Sequence, residues 1–144
     1  MSIAIKPADA EQVPELAQLL NRNHLSADDL PQDLSHFWLA VADGQIIGSI
    51  GIEIYGQVGL LRSVCVDENY RSRGIAQKLF NTAHEAARQQ SVSNLYLLTT
   101  TADRYFERFG FQRVNRSEAP ESIQQTTQFS LLCPSSAVVM KQTF

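Results

Sequence analysis

The sequence predicts one domain of the α/β class, with a mixed, mostly antiparallel central sheet and helices on both of its faces. Strand-like segments lie close together at residues 37–42, 45–55 and 58–66, which is typical of an antiparallel meander. Strand-like and helix-like segments then alternate along the rest of the chain, and this alternation favours a sheet of mixed direction. The 144 residues, 44% of them hydrophobic and 19% charged, suffice for one core and not for two.

The N-terminal part of the chain combines a strand with helices. Residues 3–6 have the pattern of a strand, and Asp9 then offers a suitable N-cap for a helix. Apolar residues follow at helical spacing, namely Val13, Leu16, Leu19 and Leu20. A second, short helix is predicted at residues 27–33.

Glycine-containing turns define the meander. Asp43-Gly44 is a strong signal for a two-residue hairpin turn, so residues 37–42 and 45–55 are expected to pair as antiparallel strands. Gly56 ends the second of these strands, and residues 58–66 form the next one.

The second half of the chain alternates helices with strands. After Gly74, apolar residues recur on one face of an amphipathic helix, namely Ile75, Ala76, Leu79, Phe80, Ala83, Ala86 and Ala87. The predicted elements that follow are strands at residues 94–100, 111–114 and 137–141, a helix at 102–109 that Gly110 ends, and a partly helical polar stretch at 118–128.

Charge, hydropathy and cysteine content narrow the possible functions. A formal net charge of −3 argues against a nucleic-acid binder. No apolar run reaches the roughly 20 residues that a membrane span needs, and the first ten residues lack the charged-then-apolar order of a signal peptide. Cys65 and Cys133 are too few to staple a domain of this size, which predicts a reducing, cytoplasmic setting. No cluster of cysteine and histidine suggests a metal site.

The stretch Arg71-Ser72-Arg73-Gly74 lies where a predicted strand has ended and a helix begins. The first turn of a helix carries unpaired backbone N–H groups and the positive end of the helix dipole. Gly74 and Ala76 let a ligand approach this backbone, and the arginines supply donors that suit phosphate oxygens. The sequence therefore favours a phosphate-binding loop, and the alternative is a solvated helix start with surface arginines.

Residues 66–76 and 105–111, with the sequences VDENYRSRGIA and YFERFGF, resemble the GNAT N-acetyltransferase superfamily. The family motif (Q/R)-x-x-G-x-(G/A) is matched by Arg71, Gly74 and Ala76. The resemblance covers most of the chain. It implies a GNAT-like fold, a single acyltransferase domain over residues 1–144, and acetyl-CoA as the co-substrate without a metal.

The resemblance also implies which residues bind acetyl-CoA. The diphosphate is expected to lie on the backbone amides of the loop, those of Arg71, Ser72, Arg73, Gly74, Ile75 and Ala76. The end of the preceding strand, Val64, Cys65 and Val66, is expected to pair with the pantetheine arm and to supply an N–H donor for the oxyanion. Thr99 and Phe106 stand where the family commonly has an asparagine and a tyrosine, and they complete the expected site.

The implied reaction is direct transfer of an acetyl group from a thioester to an amine. Glu53 is the candidate base because a carboxylate within an apolar strand is unusual, and the alternatives are a solvent-facing side chain or a pair with Arg62. Tyr105 is the candidate acid, although it lies one place before the usual tyrosine position, about 100° round the helix. Its alternative is a packing aromatic. Cys65 is interpreted as a strand residue rather than a nucleophile.

Three further stretches, at residues 95–101, 120–123 and 129–140, resemble the arsenic-resistance (ArsN-like) branch of the family. This resemblance implies a small primary amine as the acceptor, amino-acid-like and linked to arsenical resistance. The family also implies that the chain can form a homodimer. The alternatives are a non-catalytic acyl-CoA-binding or regulatory module on the same fold, and an interaction domain without a nucleotide ligand.

Overall fold

The computed structural model describes residues 3–25, 27, 30–31, 33–99, 102–126, 129 and 137–144. The strands are β1 (Ile3–Pro7), β2 (Phe37–Ala42), β3 (Gln45–Tyr55), β4 (Val58–Val66), β5 (Asn94–Thr99), β6 (Gln112–Val114) and β7 (Val138–Thr143). The α-helices are α1 (Val13–Arg22), α2 (Ile75–Gln89), α3 (Asp103–Glu107) and α4 (Glu121–Gln124). Short 3₁₀ helices lie at Ala10–Gln12, Glu68–Tyr70 and Arg116–Glu118.

The seven strands of the described chain form one sheet in the order β1-β2-β3-β4-β5-β7-β6. The pairs β1–β2, β2–β3, β5–β7 and β6–β7 are antiparallel. Strands β4 and β5 run parallel, with Val58 opposite Asn94 and Leu60 opposite Tyr96. The prediction of a mixed, mostly antiparallel sheet is therefore confirmed. The parallel pair follows from the connection through α2, because parallel neighbours need a crossover.

The chain divides into two compact units, and Met1–Ile52 with Ser63–Ala86 make up the first. Its buried core cluster consists of Leu16, Leu19, Leu20, Leu34, Phe37, Leu39, Ile46 and Cys65. The leucines of α1 in this cluster are fully buried, as their helical spacing predicts. Gly51 lies opposite Phe37, and a Cβ at Gly51 would lie 2.4 Å from Phe37 Cε2. The position of this ring therefore requires glycine in the neighbouring strand.

Glu53–Arg62 and Ala87–Phe144 make up the second unit. Its core cluster consists of Leu60, Tyr96, Ala119, Ile123, Phe129 and Val139. The guanidinium of Arg116 lies 4.6 Å from the centre of the Phe129 ring, and its Nη1 donates to the carbonyl oxygen of Ala137 at 3.2 Å. Arg116 thus attaches the segment before α4 to the residue that precedes β7. In the part of the chain described, none of the helices has the length and apolar character of a membrane span.

The predicted bounds of the central strands agree with β2, β3 and β4 without change. The hairpin turn is also confirmed, because Asp43 and Gly44 have φ angles of 51° and 77°, the left-handed pair of a type I′ turn. Helix α3 is shorter than predicted, and the turn after it contains Gly110 as expected. The polar stretch contains α4, while residues 100 and 127–128 of the predicted elements lie outside the described residues.

The predicted helix at residues 27–33 is wrong for the members that the structure describes. These residues, Ala27, Leu30, Pro31 and Asp33, belong to no helix or strand, and residues 28–29 and 32 lie outside the described chain. Pro31 gives the physical reason. It lacks a backbone N–H, and its ring disfavours the helical conformation in the residue before it.

Candidate functional site

A loop of residues 67–74 connects β4 to α2. Within it, Ser72 and Gly74 have positive φ angles of 65° and 75°. The carbonyl oxygen of Gly74 accepts the N–H of Lys78 over 3.2 Å, so Gly74 is the residue at which the helical hydrogen bonding begins. The first N–H groups after Gly74 therefore have no acceptor within the helix. The predicted succession of strand, loop and helix is present.

Gly74 lies beside open space. A Cβ at this position would have none of the described atoms within 4 Å, so packing does not require glycine here. The left-handed backbone does favour it, because other residues adopt this conformation at a cost of about 1–2 kcal/mol. The next residue, Ile75, is only 3% exposed, so its side chain lies in the core and only its backbone is available to a ligand.

The Arg71 side chain is bound within the protein. Its Nε donates to the carbonyl oxygen of Val66 at 2.9 Å, and its Nη2 donates to Asn23 Oδ1 at 3.1 Å. Two of its five N–H donors thus have protein acceptors, and the phosphate contact expected of this exposed side chain stays a prediction. Arg71 therefore holds the loop against the end of β4.

Arg73 differs from Arg71 in its partners. Both residues are exposed, but the guanidinium of Arg73 lies 5.4 Å from the centre of the Tyr70 ring. A cation over an aromatic face gains a modest electrostatic attraction while it stays accessible to solvent. Arg73 thus adds positive charge to the surface of the loop.

Asp67, the first residue after β4, connects the loop to the end of α1. Its carboxylate accepts hydrogen bonds from Arg22 at 2.7 and 3.2 Å and from Asn23 Nδ2 at 2.8 Å. Its own N–H donates to the carbonyl oxygen of Ile47 at 2.8 Å. Burial on its own raises the pKa of Asp67, but the hydrogen bonds from Arg22 and Asn23 outweigh it and lower the pKa below the ordinary 3.8.

The end of β4 carries the buried thiol of Cys65. This residue is 8% exposed, and burial together with the charge of Asp67 raises the pKa of the thiol to about 12. The thiolate is the nucleophilic form of cysteine, and it is scarce at neutral pH when the pKa is so high. The interpretation of Cys65 as a strand residue agrees with this environment. Within the same strand, Ser63 has a φ of 55°, and its carbonyl oxygen accepts the Ser49 hydroxyl at 2.6 Å.

A polar cleft of about 390 Å³ lies beside the carboxylate of Asp67. Its lining residues are Glu15, Gln18, Arg22, Gly44, Gln45, Ile46 and Asp67. Two carboxylates and one guanidinium give it a mixed charge, which does not suit the phosphates of a nucleotide. Among the residues that the structure describes, no group of three or more histidine, cysteine or carboxylate side chains could hold a metal ion.

In the second unit, Glu53 is held by two neighbours on strands β3 and β4. Its Oε2 lies 2.7 Å from Arg62 Nη1, and the hydroxyl of Tyr55 donates to its other oxygen. The Arg62 side chain is 2% exposed and the Glu53 side chain 23%. The pair that sequence reasoning left open as an alternative is therefore present. The carboxylate is fixed in position and still reaches solvent.

Helix α3 places its two aromatic residues differently. Phe106 is 9% exposed, and its ring packs edge-on against Phe111 with the ring centres 6.1 Å apart. Tyr105 is 37% exposed, and its ring packs against Phe109 at 5.1 Å. Partial burial raises the pKa of Tyr105, while the charge of Arg108 lowers it by less. The packing role expected for Tyr105 is present, and its hydroxyl keeps its proton at neutral pH.

Thr99 ends β5 and shapes the turn that follows. Its hydroxyl oxygen accepts the N–H of Ala102 at 3.0 Å. This is a local bond of the kind by which threonine stabilises turns. Thr100 and Thr101, whose hydroxyls the sequence predicts at this strand end, lie outside the described residues.

Residues 33–113, more than half of the chain, match the acetyltransferase (GNAT) domain family. The chain belongs to the GNAT acetyltransferase family. The match contains the whole connection from β4 through the loop into α2, together with α3.

Two relatives and one solved structure indicate which GNAT proteins this chain is similar to. It is 26% identical over 99 residues to an uncharacterized N-acetyltransferase of Chlorobaculum tepidum, and the match covers 68% of this chain and 63% of that protein. It is 25% identical to an amino-acid acetyltransferase of Mannheimia succiniciproducens, over 81% of this chain and 29% of that protein. The chain thus spans less than two thirds of the length of either relative.

The solved structure is N-acetylglutamate synthase from Neisseria gonorrhoeae, complexed with coenzyme A and N-acetyl-glutamate. The TM-score is 0.84 at 20% identity, over 99% of this chain and 35% of the synthase. At this identity the likeness establishes the GNAT fold and nothing finer. The predicted GNAT-like fold is therefore confirmed.

Sequence reasoning on this GNAT domain missed the residues that hold the loop from outside. Asn23 lies 44 residues from Asp67 and 48 from Arg71. No local pattern at the end of α1 indicates such contacts. Only the tertiary structure brings Asn23 to the loop.

Proposed function

We propose that this protein is an acetyl-CoA-dependent N-acetyltransferase that acetylates the primary amine of a small molecule. The observation that carries the proposal is the family match over residues 33–113, which contains the complete strand–loop–helix segment. The backbone supports it too, because Gly74 combines a left-handed conformation with open space at the start of α2.

The loop of residues 71–76 is proposed to bind the diphosphate of acetyl-CoA through its backbone amides. The N–H of Arg71 already donates to the carbonyl oxygen of Glu68 at 3.4 Å, so the proposal rests on the amides of Ser72, Arg73, Gly74, Ile75 and Ala76. Unpaired N–H groups and the helix dipole favour an anion at this point. The exposed guanidinium of Arg73 adds positive charge. The backbone of Val64, Cys65 and Val66, on the strand before the loop, is proposed to pair with the pantetheine arm.

The proposed chemistry is direct transfer of the acetyl group, which acetyl-CoA supplies as a thioester. The amine must lose a proton before it attacks, and the oxyanion that develops needs an N–H donor. That donor is assigned to the backbone near the end of β4. The high pKa of the Cys65 thiol supports a route without an acyl-enzyme.

Glu53 is the proposed base and Tyr105 the proposed acid. Arg62 and Tyr55 hold the Glu53 carboxylate in one position, which suits a group that accepts a proton at a fixed place. Tyr105 keeps its proton at neutral pH because partial burial raises its pKa. Thr99 and Phe106 are proposed to complete the CoA site at the end of β5 and on α3.

A small α-amino acid is the proposed class of acceptor. Support comes from the similarity to an amino-acid acetyltransferase of Mannheimia succiniciproducens. The finer proposal is an arsenic-containing amino acid, and it rests on the ArsN-like stretches at residues 95–101, 120–123 and 129–140. A cytoplasmic location and a homodimer are proposed on the family resemblance and the cysteine content alone.

A second candidate function is acyl-CoA binding without catalysis. The observation that favours it is Phe106, which carries no hydroxyl at the position where the family commonly has a tyrosine. Its ring is buried against Phe111, as expected of a purely structural residue.

Release of free thiol from acetyl-CoA tests the proposal. The purified protein would be given ordinary amino acids, polyamines and an arsenic-containing amino-acid analogue, and each product would be identified by mass spectrometry. The proposal predicts turnover with amino acids and an N-acetylated product, and loss of turnover in Gly74→Glu. Binding of CoA without turnover of any amine would favour the second candidate. A protein that shows no CoA binding and no turnover would contradict both candidate functions.

A further inference from the structure

We propose that Asn23 is a positioning residue for acetyl-CoA, acting on the diphosphate loop through Arg71 and Asp67. This inference rests on the proposed function, since it presumes that residues 71–76 bind the diphosphate. Asn23 lies at the end of α1, outside the loop and outside the family match of residues 33–113.

The side-chain amide of Asn23 has three partners. Its Nδ2 donates to the carbonyl oxygen of Leu19 at 2.9 Å and to Asp67 Oδ1 at 2.8 Å. Its Oδ1 accepts from Arg71 Nη2 at 3.1 Å. One amide thus joins α1, the end of β4 and the first residue of the diphosphate loop.

The helix end of this network is anchored in the core. Asn23 follows the last residue of α1, and its own N–H donates to the carbonyl oxygens of Leu19 and Leu20 at 3.2 and 3.1 Å. Both leucines are fully buried. Because the side chain also donates to the Leu19 carbonyl, backbone and side chain of Asn23 are fixed to the same point. A carbonyl in the last turn of a helix needs such a partner.

The loop end of the network determines where the backbone of Arg71 lies. The guanidinium donates to two acceptors from different nitrogens, from Nε to Val66 O and from Nη2 to Asn23 Oδ1. Two such bonds from a planar group fix its orientation more closely than one bond does. The residues that follow are Ser72 and Gly74, both with positive φ, so a shift at Arg71 would change the direction of their N–H groups.

An amide suits this position because it both donates and accepts. An aspartate here would accept from Arg71 but would turn an oxygen toward the Asp67 carboxylate. An alanine would remove all three contacts. Of the two described hydrogen bonds of the Arg71 guanidinium, only the bond to Val66 would then remain. A change at Arg71 separates the effect of its charge from the effect of its hydrogen bonds. Arg71→Lys keeps the positive charge but loses the planar group that donates to two acceptors.

The experiment measures kcat and KM with two acetyl donors, acetyl-CoA and S-acetylpantetheine, which lacks the diphosphate. The variants are Asn23→Ala, Arg71→Lys and their combination. Asn81→Ala is the matched control, because Asn81 is an exposed asparagine whose Oδ1 accepts a bond from Gln77 on the surface of α2. The melting temperature of each free protein is recorded alongside, and kinetics are measured well below it.

The expected result is a KM for acetyl-CoA raised roughly tenfold in each single variant, about the effect of one hydrogen bond to a charged group. We expect kcat to change by less than about twofold, and the double variant to fall short of the product of the single effects because both act through one network. With S-acetylpantetheine, kcat/KM of Asn23→Ala should stay that of the wild type, because Asn23 makes none of its described bonds with Val64, Cys65 or Val66. Asn81→Ala should match the wild type with both donors.

Three outcomes would overturn the inference. The first is an unchanged KM for acetyl-CoA in Asn23→Ala. The second is a fall in kcat/KM of Asn23→Ala that is equal with both donors, because such a fall marks a purely structural role. If Asn23→Ala does not fold, the third is decisive: Arg71→Lys alone with a wild-type KM for acetyl-CoA. A wild-type protein that neither binds CoA nor turns over acetyl-CoA would contradict the proposed function itself. Failure of the proposed function is thereby distinguished from failure of the inference about Asn23.

Discussion

Arg71 donates its Nε hydrogen to the carbonyl oxygen of Val66 over 2.9 Å. This bond ties the loop back to the last residue of β4. The arginine of the family motif therefore stabilises the conformation of the loop backbone. Arg71 and Arg73 are both exposed at this loop, but two of the Arg71 nitrogens already donate to protein acceptors. In the proposed function, the motif arginine would act on the ligand through the loop conformation that it stabilises.

Replacement of Glu53 by glutamine separates its two proposed roles. The change removes the charged partner of the buried Arg62 guanidinium, and we expect the free energy of unfolding to fall by about 1–3 kcal/mol. If Glu53 is the base, kcat also falls by roughly 10²–10⁴-fold at temperatures where the variant is folded. Chemical denaturation and steady-state kinetics measure the two effects. A destabilised variant with wild-type kcat would leave Glu53 as the partner of Arg62 and no more.

The Tyr105 hydroxyl is tested by Tyr105→Phe. The ring contact with Phe109 is kept, so the melting temperature should stay within a degree or two of the wild type, on the order of the small effects seen for surface changes. As the proposed acid, the hydroxyl should contribute about 10²-fold to kcat. Tyr105→Leu is the companion variant, which removes the ring as well and should lower stability. Wild-type kcat in Tyr105→Phe would contradict the assignment of the acid.

The carboxylate of Asp67 should make stability depend on pH in the acid range. Its pKa is lowered in the folded protein, so the unfolded chain binds its proton at a higher pH than the folded one. The contribution of Asp67 to stability is complete above about pH 3.8 and is lost as the pH falls through the pKa of the folded state. Denaturation of wild type and Asp67→Asn across this range should therefore give a difference that shrinks on acidification. A difference that is the same at every pH would contradict the prediction.

Cys65 should be inert in the native protein. Because its pKa is raised to about 12, the thiol stays protonated at neutral pH, and a thiol reagent should label it only after unfolding. Peptide mapping by mass spectrometry resolves Cys65 from Cys133. The same maps, after incubation with acetyl-CoA and no acceptor, should contain no acetylated Cys65 peptide. An acetylated peptide that forms and then disappears when an amine is added would establish an acyl-enzyme instead.

Most of the fold follows from local signals in the sequence. The Asp43-Gly44 turn fixes the hairpin, and both residues adopt the left-handed conformation that the turn needs. Alternation of strand and helix after residue 58 predicted the mixed sheet correctly. The helix predicted at residues 27–33 is the clear error, because Pro31 outweighs the weak helical pattern there.

Less of the candidate site was predictable, and the reason is distance along the chain. The loop at residues 71–76 could be predicted as a candidate because strand, loop and helix are contiguous in the sequence. The pair between Glu53 and Arg62 was within reach as an alternative, since the hairpin of β3 and β4 brings nearby residues together. The contacts of Asn23 depend on where the end of α1 packs, and no local pattern encodes that position.

Calorimetric titration of the wild-type protein and two Gly74 variants with CoA tests the central claim most directly. Gly74→Ala adds a methyl group into open space and strains only the backbone, whereas Gly74→Glu also brings a carboxylate to the proposed diphosphate site. We predict one binding site in the wild type, weaker binding in Gly74→Ala and no measurable binding in Gly74→Glu, although the free variants remain folded. A wild type that does not bind CoA, or a Gly74→Glu variant that binds it as well as the wild type does, would contradict the claim that this loop holds acetyl-CoA.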